Sequence, residues 1–167
     1  GSFAYSFGLE SLAKHGCLRE LKDLELHLEA SVEQWLAFDI PIMASARRDD
    51  EWQGAVQTFC LQTRVPSLRK ASESQGRAWL RFLETAHPEV HAHELRQQFM
   101  STKQPQVYLA IFAMATQSMK LPFEDMVNLY IYSGLRDQVS SAIRMGVVGP
   151  SSGHALLARQ LNHGFAC

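Results

Sequence analysis

The run FEDMVNLYIYSGLRDQVSSAIRM, from Phe123 to Met145, decides the fold class. Its apolar residues Met126, Val127, Leu129, Tyr130, Ile131, Tyr132, Leu135, Val139 and Ile143 recur at helical, not alternating, spacing. They cover much of the circumference, as in a helix that is central to a fold or lies at a subunit interface. Tyr132, Leu135 and Val139 are therefore the candidates for a dimer or core helix. Leu121-Pro122 makes the corner into it, and Ser151 or Ser152 is expected to cap a shorter helix through Leu156, Leu157 and Leu161.

The same periodicity extends towards the N-terminus. Leu21, Leu24, Leu28, Val32 and Trp35 make one face of a helix, with Lys22, Glu25, Glu29 and Glu33 on the other. The acidic row Glu25, Glu29 and Glu33 is read as a solvated face, with a basic partner surface as the alternative. Asp39 is expected to cap a new helix through Pro41 and Met43 to about Arg47, and Asp49 or Asp50 to start another through Trp52, Val56 and Phe59. Ser67 is the expected cap of a long helix through Leu68, Ala71, Gln75, Ala78, Trp79, Phe82 and Leu83, with Pro88 beyond its end. Helices over about 89–100 and 106–119 complete the pattern, the second reading as buried. No period-two strand or Asn-Gly hairpin signal occurs. The expectation is an all-α compact bundle of about eight helices in one domain over residues 1–167.

Composition narrows the function classes. At 167 residues and 46% hydrophobic content the chain buries roughly 70% of its unfolded surface without a metal or disulfide staple. A net charge of -1 provides no basic field for nucleic acid or anionic lipid, so proteins are the expected partners. The longest uncharged run, Gln104 to Met119, is too short and too polar for a membrane span. Cys17, Cys60 and Cys167 are odd in number and widely spaced, which suits a reducing compartment and points to the cytoplasm.

Three blocks carry a family resemblance. GSFAYSFGLE at the start supplies Gly1, Ser2, Phe3, Tyr5, Ser6, Gly8, Leu9 and Glu10. VPSLRKASESQGRAWLRFL, Val65 to Leu83, supplies Arg69, Ala71, Ser72, Gln75, Gly76, Arg77 and Leu80. The third reaches from Leu121 to Leu157. Together they resemble the urease accessory protein UreF family. The chain departs from the pattern at Val147 to His154, where the family's acidic residue and terminal glutamine are missing, so the role of that turn is in doubt. Relative to the family the chain is expected to be a trimmed fragment or a shortened relative.

The resemblance implies a non-catalytic, cofactor-free helical scaffold. It would be a homodimer that binds UreD (UreH in some systems), recruits the GTPase UreG and acts on apo-urease so that nickel is inserted. It also makes Phe3, Tyr5, Ser6, Glu10, Arg69, Gln75 and Arg77 the candidate partner-binding residues. Alternatives are a regulator of UreG GTP hydrolysis, or an unrelated helical ligand-binding domain with a polar-lined internal pocket.

Read from the residues themselves, Arg64, Arg69, Arg77 and Arg81 gather near one helix. Their planar guanidinium groups suit carboxylate pairing across an interface, or a trans-acting finger, against ordinary surface charge with a pair such as Arg69 with Glu73. His87, His91, His93 and Glu94 form the best metal candidate, with His87 and His91 four apart on an expected helical face. No third ligand stands at fixed spacing, and a solvated helix start is the favoured reading. No nucleophile elbow, Walker loop or dinucleotide fingerprint is present, and no enzyme is expected.

Overall fold

Nine α-helices and no strand occur among residues 8–164, the part described in the computed structural model. Phe3, Tyr5 and Ser6 lie outside the described residues. The helices are α1 (Leu9–Lys14), α2 (Leu21–Gln34), α3 (Ile40–Ala46), α4 (Trp52–Gln62), α5 (Pro66–Ala86), α6 (Ala92–Ser101), α7 (Tyr108–Ser118), α8 (Phe123–Arg144) and α9 (Pro150–Gly164). The fold class is all-α. They belong to two units, one formed by Ala37–Met126 and the other by the described residues before and after it.

In the unit Ala37–Met126, α7 is the central element. Leu109, Ala110, Ile111, Phe112, Ala113, Ala115 and Thr116 are all buried, and α3, α4, α5 and α6 pack around it. A helix so enclosed must satisfy its polar atoms internally. The Thr116 hydroxyl donates to the Phe112 and Ala113 carbonyls, both at 2.9 Å. Trp52 and Phe99 meet at 4.7 Å between ring centroids, and the Arg47 guanidinium donates to the Leu121 carbonyl at 2.6 Å.

In the other unit, α1, α2, α9 and the part of α8 from Val127 onwards share a core of Leu9, Leu18, Leu24, Leu28, Trp35, Ile131, Leu135, Val139, Ala142 and Leu156. Gly134 is required there by close approach, because a Cβ would overlap the Trp35 indole. Ser31 and Gln138 join across this unit at 3.3 Å. Both α1 and α8 stop on a left-handed glycine. The Cys17 N–H returns to the Leu12 carbonyl at 2.8 Å after Gly16, and the Val147 N–H to the Ala142 carbonyl at 3.0 Å after Gly146.

Several boundaries differ from the sequence expectation, and proline explains most of them. Asp39 does not break the chain into a new helix. It is itself helical, ending a π turn, Trp35–Asp39, that leads straight into α3. Pro41 cannot bond to the carbonyl four residues before it and crowds that carbonyl, and the wider π turn makes room. Ser67 is not a cap, since α5 begins at Pro66 after the extended Val65. Ser151 and Ser152 likewise sit inside a helix that begins at Pro150. Proline is pre-set for a first helical turn, where its missing N–H costs nothing.

Candidate partner surface

Helix α5 carries the second sequence block, and its two sides do different work. On the inner side, Gly76 lies against the Gln106 carbonyl oxygen so closely that a Cβ would overlap it, and such a Cβ would also stand 2.9 Å from Ile111 Cδ1. Four residues earlier, the Ser72 hydroxyl accepts from the Tyr108 N–H at 3.1 Å, satisfying a donor in the first turn of α7 that has no intrahelical partner. Ser72 and Gly76 therefore seat the start of α7 on α5. Leu80 and Leu83 continue this buried side.

On the outer side, Lys70, Arg77 and Arg81 form one exposed row at offsets of seven and four residues. Glu73 is 3.6 Å from Arg77, so the intrahelical partner of Glu73 is Arg77 and not the expected Arg69. Glu84, the other carboxylate of α5, is held at 2.8 Å by Arg96 from α6. Across the helix stand Leu68 and Phe82, 56% and 48% exposed. Phe82 is held in place on one face by Trp79, stacked at 5.3 Å and 24°, and approached by the His87 ring at 6.0 Å. Trp79 in turn touches Tyr108 and Phe112 at 6.3 and 6.1 Å.

Of the candidate residues, Arg69 and Gln75 are half-buried and Arg77 is exposed, all on α5, whereas Glu10 is exposed on α1. The Cys60 thiol is pushed up chiefly by burial, drawn down by the Arg69 charge and pushed up by Glu73. A thiol so shifted is less ionised at neutral pH than a free one. On α8, Leu135 and Val139 are fully buried in their own unit, while Tyr132 is 39% exposed with the Arg136 guanidinium 5.9 Å from its ring centroid.

The histidines do not share a helical face. α5 ends at Ala86, Pro88–Val90 is a 3-10 turn, and His91 is left-handed at the start of α6. His87 pairs instead with Glu89 at 2.9 Å and His91 with Glu94 at 3.5 Å. Among the described residues no group of three or more His, Cys, Asp or Glu could hold a metal ion. A cleft of about 460 Å3, lined by Phe38, Pro41, Ile42, Gly54, Ala55 and Thr58 among others, runs between α3 and α4. It is an open groove rather than an internal pocket, and Ser45, Asp50, Glu51 and Gln62 add polar groups to its lining. Among the described residues no helix is long and apolar enough to cross a membrane.

The sequence reading missed the Ser72 bond to α7, the place of Lys70 in the basic row and the aromatic support of Phe82. The offset of seven between Lys70 and Arg77 was the available signal for the row; nothing local signals the bond.

The UreF family profile matches residues 18–161. The chain is 29% identical over 157 residues to Urease accessory protein F of Arabidopsis thaliana, covering 90% of this chain and 65% of that protein. It is 26% identical over 161 residues to Urease accessory protein F of Oryza sativa subsp. indica, covering 93% of this chain and 62% of that protein. It is 25% identical over 166 residues to the Urease accessory protein UreF of Alcanivorax borkumensis, covering 95% and 72%. The chain thus spans slightly less than two thirds of the two plant relatives. No solved structure gives a significant match. With nearly the whole described chain inside the profile and its relatives named as accessory proteins, this chain belongs to the UreF family.

Proposed function

We propose that this chain is a non-catalytic scaffold in urease maturation, acting as one UreF-like domain. In this reading it self-associates as a homodimer in the cytoplasm, binds UreD (or UreH) and the GTPase UreG, and the assembly delivers nickel, its cargo, to apo-urease. The observation that carries the reading is the family match over residues 18–161. It is supported by how the matched α5 block is used. Ser72 and Gly76 are spent on packing and offer no reactive group, and what α5 leaves exposed is a surface of cations and apolar side chains suited to a protein partner.

The test is complementation. The chain, expressed in a urease-positive bacterium lacking its own UreF, should restore urease activity in nickel medium, and should co-purify with UreD and UreG. Folded, abundant chain that neither restores activity nor retains either protein would overturn the reading.

A further inference from the structure

We propose that the outer face of α5 is a docking site for an acidic amphipathic helix of a partner protein. The proposal rests on the scaffold reading above and deepens it by naming the surface and the chemistry of its occupant.

Charge is the first argument. The row Lys70, Arg77 and Arg81 carries three cations, with Arg64 just before the helix. Against them stand two carboxylates on α5, and one of these, Glu84, is already bound by Arg96 at 2.8 Å. Glu73 meets Arg77 at only 3.6 Å, too long for a strong charge-assisted bond. Among the described residues Lys70, Arg64 and Arg81 make no ion pair. In a chain whose net charge is -1, this concentration of one sign on one helix is local and selects for carboxylates.

Shape is the second. Leu68, Gln75 and Phe82 repeat every seven residues, which places them on one edge of α5 about 10 Å apart, parallel to the basic row. Between the two rows lie Ser67, Ala71, Ser74 and Ala78, side chains small enough to let another helix backbone come close. An occupant with apolar residues on one edge and Asp or Glu on the other fits this arrangement in register. Phe82 is a preformed anchor, because the Trp79 stack fixes its ring while leaving nearly half its surface open. Little ordering entropy remains to be lost when it is covered.

The experiment titrates purified UreD and purified UreG separately against the full chain by biolayer interferometry, at low and high salt. The variants are the triple reversal Lys70→Glu, Arg77→Glu, Arg81→Glu, the pair Leu68→Ser and Phe82→Ser, and a charge-matched control, Lys22→Glu, Lys103→Glu, Lys120→Glu. Each is checked for helical content and sedimentation. Affinity for one of the two proteins should fall at least about tenfold in the triple reversal, and its salt dependence should flatten. The apolar pair should weaken the same protein at both salts, and the control should bind as the parent does. A triple reversal that binds both proteins like the parent overturns the proposal. So does one that changes only sedimentation, which would assign the face to a second copy of the chain. A parent that binds neither protein overturns the scaffold reading and this proposal with it.

Discussion

Helices α5 and α8 have nearly the same length, 21 and 22 residues, and opposite designs. α8 is apolar around much of its circumference, α5 is sharply divided between a buried and a charged side. Read by apolarity alone, α8 is either central to the fold or at a subunit interface. In the structure most of that apolarity is consumed internally, with Met126, Ile131, Leu135 and Val139 buried and only Leu129, Tyr132 and Phe123 among the large apolar side chains of α8 left open. α5 spends a glycine and a serine on its inner contact and keeps Leu68, Phe82 and a row of cations outside. The hydrophobicity of a helix reports how much of it is covered. What it leaves uncovered, and how that is arranged, reports what it can bind.

The sharpest way to break this contrast is Leu135→Ala. If Leu135 is core rather than interface, its loss should cost about 2–5 kcal/mol in urea unfolding whatever the protein concentration. A cost that grows as the protein is concentrated would return α8 to a subunit interface.

Gly76→Ala tests the inner side of α5. Alanine favours a helix by up to about 1 kcal/mol, but its Cβ must displace the Gln106 backbone and Ile111, so a net loss of about 1–3 kcal/mol is expected. A stabilised variant would show that α7 does not press on α5 at that point. Ser72→Ala, which leaves the Tyr108 N–H without its acceptor, should cost about 1 kcal/mol.

The outer sides should contribute less to stability. Tyr132→Ala should move the unfolding free energy by no more than about 0.5 kcal/mol, and the α5 triple reversal, which turns the Glu73–Arg77 pair into a like-charge one, by about 1 kcal/mol. A larger loss from the reversal would mean that the basic row supports the fold. The smallest effect belongs to His27 on α2, whose ring is held below its usual pKa by burial. The unfolded chain takes up that proton first, so stability should decline as pH falls through about 6.5 and level off below the folded value. His27→Gln should remove that step from melting temperatures measured between about pH 7.5 and about pH 5.5. An unchanged slope would assign the pH response to other groups.

Helix content, the family and the buried character of α7 were legible along the chain, because side-chain periodicity and turn residues are local signals. The exact starts of α5 and α9 were set by Pro66 and Pro150 rather than by the neighbouring serines, and the helix expected from about residue 89 begins only at Ala92, after the 3-10 turn Pro88–Val90. Tertiary structure alone decided that Ser72 caps α7, 36 residues away, that Gly76 exists to admit a carbonyl and that Gly134 admits an indole. It also decided that Glu84 belongs to Arg96, which strips the basic row of a neutralising neighbour. The physical reason is common to all four. A hydrogen bond, a close approach or an ion pair between distant residues depends on the distance between two backbones after packing, and no single helix encodes that distance in its own sequence.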